Sequence, residues 1–231
     1  MKYFITANFI FFLSFSVHSN EVLLSVNNSS LGSKEINEEY SFFLAGHIYG
    51  APSPSAYPAA SFLGAVDEIK NSNAHFLVLL GDTIQHMGGS LGNTEIEIFD
   101  RLVAKEINMP IYNTPGNHDW LSDPEKYSKY FGEDTYRYFD YGSESFFLLN
   151  SEEGNPSCNL SIEQQNFILN NVISVSESNK IKNVFFLMHQ PLWAIHNKTV
   201  NIIDPWTNGG PHNELCTSFE EKIFPKILEL A

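Results

Sequence analysis

Six side chains able to do chemistry fall in four short groups: His47, Asp82, the run Asn117-His118-Asp119, and His189. Each group follows a short apolar run, and three begin directly after a glycine, as Gly46-His47, Gly81-Asp82 and Gly116-Asn117. Steps of 35, 35 and 72 residues separate His47, Asp82, Asn117 and His189, far too long for a local motif. Their types nevertheless belong together. A carboxylate can bridge two cations, imidazoles bind divalent transition metals well, and an amide carbonyl is an acceptable harder ligand. The glycines permit the tight turns that would let such ligands close around ions.

Only a fold that gathers strand ends could use such a set. Residues 41–45 (SFFLA), 75–80 (HFLVLL), 110–113 and 182–188 (KNVFFLM) read as short buried strands, each stopping at one of the four groups. Helical spacing predicts helices over 61–71, 94–108, 161–175 and 219–230, with Ser161 as the cap of the third. Residues 136–141 and 145–149 read as paired strands around Gly142. Buried strands alternating with helices indicate an α/β layered fold. In open sheets of that kind ligands gather at the carboxyl ends of strands. Neither a repeat nor a linker interrupts the pattern, so residues 40–231 read as one domain, preceded by a polar leader over 20–39.

Composition removes several function classes. The chain has 231 residues with 13 Lys+Arg against 27 Asp+Glu, a formal charge of −14. That balance argues against a nucleic-acid partner, whose binding relies on basic residues releasing counterions. It also argues against attachment to an anionic lipid surface. Residues 1–19 carry Lys2, a Phe-rich apolar run over 4–17 and Val17-His18-Ser19, the pattern of a cleaved signal peptide. The run is shorter than the ~20 residues that span a bilayer. A secreted or periplasmic location is the expectation, and cleavage would take the charge from −14 to −15. There Cys158 and Cys216 could pair, and closing that loop would stabilise by roughly 4 kcal/mol. Asn28, Asn159 and Asn197 fit the glycosylation acceptor pattern.

On Gly81-Asp82, Gly116-Asn117-His118-Asp119 and the strand-terminal His189 of Met188-His-Gln-Pro, the chain resembles the calcineurin-like metallophosphoesterase superfamily. The resemblance runs from about residue 40 to about residue 193. It implies a β-sandwich flanked by helices, with two divalent ions (Mn, Fe or Zn) at the strand ends. Asp82 would bridge both ions, Asn117 and His189 would hold the second, and His47 the first. His118 would contact the phosphoryl group and give a proton to the leaving oxygen, with Asp119 orienting its ring. The implied activity is hydrolysis of phosphate esters, on a phosphorylated small molecule or polymer, by a metal-activated water. The ions would supply the positive charge that a chain of −14 lacks.

Two departures stand beside the match. Ala45 occupies the place of the family's first Asp, and a methyl cannot coordinate. The late Gly-His-x-His is absent; after His189 the only histidines are His196 and His212. The chain stops at Ala231 about where that motif should follow, so a fragment of a longer protein is expected. His86, then Tyr49 and Glu152, are candidates to replace the missing ligands. Trp193 and Trp206 either line a cleft or anchor the long loop. A catalytically impaired relative serving as a binding or structural protein is the alternative to the enzyme.

Overall fold

A computed structural model of the chain describes residues 25–33, 39–50, 54–153, 160–190 and 223–230. The signal segment, both cysteines, Asn159, Asn197, Trp193, Trp206, His196 and His212 lie outside the described residues.

Two three-stranded sheets form the centre. In the first, β1 (Phe42–Ala45), β2 (Phe76–Leu80) and β3 (Ile111–Thr114) run parallel in that order. In the second, β4 (Arg137–Tyr141) and β5 (Glu144–Leu148) form a hairpin, and β6 (Asn183–Leu187) lies parallel to β5. Parallel strands need crossovers, and helices supply them. The helices are α1 (Ala60–Asn71), α2 (Gly92–Phe99), α3 (Pro124–Phe131), α4 (Ile162–Ser176) and α5 (Phe224–Leu230).

Because side chains alternate along a strand, each sheet buries both faces in different company. Phe76 and Val78 of β2 face the second sheet, while Leu77 and Leu79 face helices α1 to α3. In the hairpin, Phe146 and Leu148 face the first sheet, and Phe147 packs with Ile168 and Val172 of α4. The sandwich seam is aromatic. Phe42 stacks on Phe76 at 5.0 Å, and both meet Phe146 edge-on at 5.1 and 5.2 Å. Such pairs add about 0.5–1.5 kcal/mol each beyond their buried area. The result is helices, sheet, sheet, helices: the expected layered α/β sandwich.

Local differences from the sequence reading have physical causes. The helix expected over 94–108 is α2 followed by a wider turn over Asp100–Ala104, in which the Lys105 N–H donates to the Asp100 carbonyl at 2.9 Å. Helix α3 was not anticipated, because only Tyr127 and Phe131 of its eight residues are buried. Its signature is the cap: Asp123 accepts from the Lys126 N–H at 3.0 Å, and Pro124 opens the first turn. Residues 25–33 dock on β3 despite their polarity. The Asn27 amide donates to the carbonyls of Ile107 and Met109 at 2.8 and 2.9 Å, and its oxygen accepts from the Ile111 N–H at 3.2 Å. Among the described residues, no helix is long and apolar enough to cross a membrane.

Candidate functional site

The four groups meet where β1, β2, β3 and β6 end. Tight backbone makes this possible. His47, Asp82 and Gly81 have φ of 54°, 54° and 73°, a left-handed conformation uncommon for non-glycine residues. The turn after β1 is tied to the turn after β2 by the His47 N–H, which donates to the Gly81 carbonyl at 3.1 Å. A side chain on Gly116 would overlap the Asp82 backbone nitrogen and carboxylate, so glycine there is a space requirement.

Asp82 is the hub. It is fully buried, and its Oδ2 lies 3.0 Å from His47 Nδ1, 3.5 Å from His189 Nε2 and 3.4 Å from the Tyr49 hydroxyl, which donates to it. Its Oδ1 accepts from the His118 N–H at 3.0 Å. Burial, then the Asp82 charge, pushes the Tyr49 hydroxyl well above the ordinary tyrosine range, so it stays protonated as a donor. The Tyr49 ring lies between two histidines, 4.3 Å from the His47 ring and 5.1 Å from that of His118.

Hydrogen-bond chemistry fixes the state of two imidazoles. His189 Nδ1 is 2.9 Å from the Leu80 carbonyl, which can only accept, so Nδ1 carries the proton. His189 Nε2 then faces Asp82 Oδ2 and, at 3.1 Å, Asn117 Oδ1. Three Lewis-basic atoms thus converge with at most one proton among them, an arrangement that a divalent cation satisfies. His118 Nδ1 is 3.0 Å from the Gln85 carbonyl and donates to it, which turns Nε2 outward as the atom able to carry a mobile proton.

The set is uneven. Asp82, Asn117 and His189 suit one cation, whereas for a second, Asp82 has His47 as its one further imidazole among the described residues. Ala45, at the end of β1, packs its methyl with the apolar core beneath α1. Among the described residues, no group of three or more His, Cys, Asp or Glu side chains forms a ready-made cation cage. The chemistry of the cluster fits a cation, then, but as a partial donor set.

Other expected roles move. Asp119 does not touch the His118 ring. Fully buried, it accepts from the Thr83 and Ile84 N–H groups at 3.1 and 2.6 Å, pinning the chain as it leaves Asp82. It thereby positions the Gln85 carbonyl that holds His118. Burial pushes its carboxyl up to about 8, which the Ile84 N–H opposes and the Asp82 charge reinforces. His86 turns to α2 rather than to Asp82: its Nδ1 is 2.6 Å from Glu95 Oε1, and its N–H donates to Glu95 Oε2 at 2.8 Å. His75 lies at the far end of β2, against Tyr40 and Tyr141.

Two residues near the site were weak in the sequence. Tyr49 stands two residues after His47, a spacing that places it on the same turn. Glu152, 1% exposed, sits in the turn after β5 with its Oε2 unpartnered among the described residues. No periodic signal marks it.

A search of curated proteins returns no match for this chain. The family model described as calcineurin-like phosphoesterase matches residues 56–221, well over half of the 231 residues. With three of the four strand-end groups, at Asp82, Asn117–Asp119 and His189, inside that span, this chain belongs to the calcineurin-like phosphoesterase family.

Proposed function

We propose that this family member is an exported hydrolase of phosphate monoesters or diesters that works with two divalent cations. The observation carrying the reading is the convergence of His189 Nε2, Asp82 Oδ2 and Asn117 Oδ1, three electron-pair donors whose only shared need is positive charge. Asp82, Asn117 and His189 would hold one ion, and Asp82 with His47 the other. When bound, such ions lower the pKa of a water, neutralise phosphoryl oxygens and absorb charge as the ester bond breaks.

The chain's own residues do the rest. Asp82 is held in place by the His118 N–H and the Tyr49 hydroxyl. The Gln85 carbonyl holds His118 Nδ1–H, so a proton on Nε2 is directed away from the core and toward the leaving oxygen of an ester. Tyr49 packs against both His47 and His118 and fixes the spacing between them.

The test is metal content by mass spectrometry, together with hydrolysis of a chromogenic phosphate ester. Asp82→Asn and His118→Ala serve as controls. Cation uptake with activity above both controls supports the proposal; fewer than one ion per chain and no activity above them overturns it. The Ala45 methyl in the core favours one second reading, a non-catalytic relative that binds a phosphorylated ligand without turnover. Ligand binding by a chain that fails the hydrolysis test would select it.

A further inference from the structure

A buried acid stands one peptide unit away from the histidine that serves the leaving oxygen. Glu95 lies in the first turn of α2, where an acid suits the helix dipole but needs no burial. It is nonetheless only 5% exposed, and both of its carboxyl oxygens are spent on His86. Oε2 accepts from the His86 backbone N–H at 2.8 Å, and Oε1 lies 2.6 Å from His86 Nδ1. Glu95 thus grips the backbone and the ring of one residue together.

The N–H that Glu95 holds and the carbonyl that holds His118 belong to the same peptide unit, the one joining Gln85 to His86. A trans peptide is planar, with its N–H and C=O on opposite edges, so fixing one edge fixes the direction of the other. His118 Nδ1 donates to that carbonyl at 3.0 Å. The route from helix to imidazole is therefore short: Glu95 carboxyl, peptide plane, His118 ring. Hydrogen bonds in such a chain also polarise one another, which makes the Gln85 carbonyl a better acceptor. Asp119 sets the course of the same turn at the Thr83 and Ile84 N–H groups. The tilt of the plane that faces His118 is set by Glu95.

We propose that Glu95 is a positioning residue for ester hydrolysis: by holding the Gln85–His86 peptide it keeps the His118 proton on Nδ1 and aims Nε2 at the leaving oxygen. The inference rests on the hydrolase reading above. The His86 ring, in this arrangement, braces the Glu95 carboxyl and meets neither substrate nor cation.

The experiment pairs a spectrum of the metal-free protein with kinetics. Wild type, Glu95→Leu and Glu95→Gln are isotope-labelled at histidine nitrogen, and long-range proton–nitrogen correlation reads the His118 tautomer. Loss of signals in His118→Ala assigns the ring. Each protein, supplied with Mn2+, is then assayed on an alkyl phosphate, whose leaving oxygen needs a proton, and on a nitrophenyl phosphate, whose leaving oxygen needs one far less. In Glu95→Leu the Nδ1–H form should give way to a mixture of tautomers. Its kcat on the alkyl ester should fall about 10²-fold, the cost of displacing a reacting group by about 1 Å, with KM little changed. The loss on the nitrophenyl ester should be clearly smaller, because less proton transfer is at stake there. Glu95→Gln keeps a carbonyl able to accept from the His86 N–H and should restore most of the tautomer and the rate. Should Glu95→Leu not fold, Glu95→Asp, one methylene shorter, takes its place with the same expectations. An unmoved tautomer, or equal losses on the two esters, overturns the proposal and leaves Glu95 as a brace between α2 and its loop. An active wild type beside a Glu95→Leu variant of unchanged kinetics overturns the inference alone. A wild type that hydrolyses neither ester overturns the hydrolase reading, and this inference with it.

Discussion

His189 from the second sheet and Leu80 from the first are joined by a hydrogen bond of 2.9 Å between residues 109 positions apart. The bond does two things at once. It fixes which imidazole nitrogen carries the proton, and it sets the position of His189 by the end of β2. Gly81 leaves just enough room, since a Cβ there would lie 2.7 Å from the His189 Cβ.

Gly81→Ala should therefore damage fold and site together. The new methyl meets His189, and φ of 73° penalises any side chain. Destabilisation of roughly 2–4 kcal/mol is expected in urea unfolding, combining overpacking with left-handed strain, together with lost cation uptake. Gly64→Ala is the matched control, because a Cβ there meets nothing within 4 Å in the middle of α1. That variant should gain about 0.5–1 kcal/mol.

His118→Ala should separate chemistry from assembly. Its backbone N–H, which alone serves Asp82, survives the substitution. Cation content and KM should stay near wild type while kcat falls by about 10²- to 10⁴-fold, read from steady-state kinetics beside metal analysis. A parallel loss of cation would show instead that the ring is part of the ion site.

Gln164→Leu should cost about 2–4 kcal/mol in chemical denaturation. It strips partners from the buried N–H and carbonyl of Asn150, each costly to leave unsatisfied. Ser161→Ala, which removes the cap on the Gln164 N–H, should cost only about 1 kcal/mol. The difference measures the clamp apart from the helix.

An acid-side dependence is expected at Glu144. Partial burial pushes its carboxyl up, but hydrogen bonds from Tyr40, Ser143 and Asn183 outweigh burial and hold it below the ordinary value. The Tyr40 bond is 2.6 Å and links the chain two residues before β1 to the start of β5. A carboxyl with a folded pKa below its unfolded pKa binds fewer protons when folded, so its stabilisation is present above the unfolded value, near 4.5, and fades as pH falls through the folded one. Tyr40→Phe should be less stable than wild type at pH 6 to 8, with the gap closing below about pH 4. Melting curves across that range check the sign.

Much of this site was readable because its parts stand at strand ends. SFFLA, HFLVLL and KNVFFLM announce buried strands by composition, and the polar residue closing each run has to emerge at a sheet edge. The sandwich followed from the family resemblance more than from periodicity, since short apolar runs do not say which sheet they join. What escaped depends on contacts between distant segments. Glu152 gains its place from the register of β5 on β6 and from Gln164, neither of which leaves a local pattern. The family resemblance implies that Asp119 orients the His118 ring, but its position in the wide turn of Asn117–Leu121 aims its carboxylate at backbone N–H groups 35 and 36 residues away. Helix α3 carried a cap signal in Asp123-Pro124 that a search for apolar periodicity passes over.

The aromatic seam between the sheets has a consequence for what a bound cation would hold together. Asp82 and Asn117 belong to the first sheet's turns, while His189 is carried by the second. Neither half presents a complete donor set by itself. A cation held by residues of both would tie the two sheets together, so that its binding would protect amides of both from hydrogen exchange together, as the Phe42, Phe76 and Phe146 rings already join them.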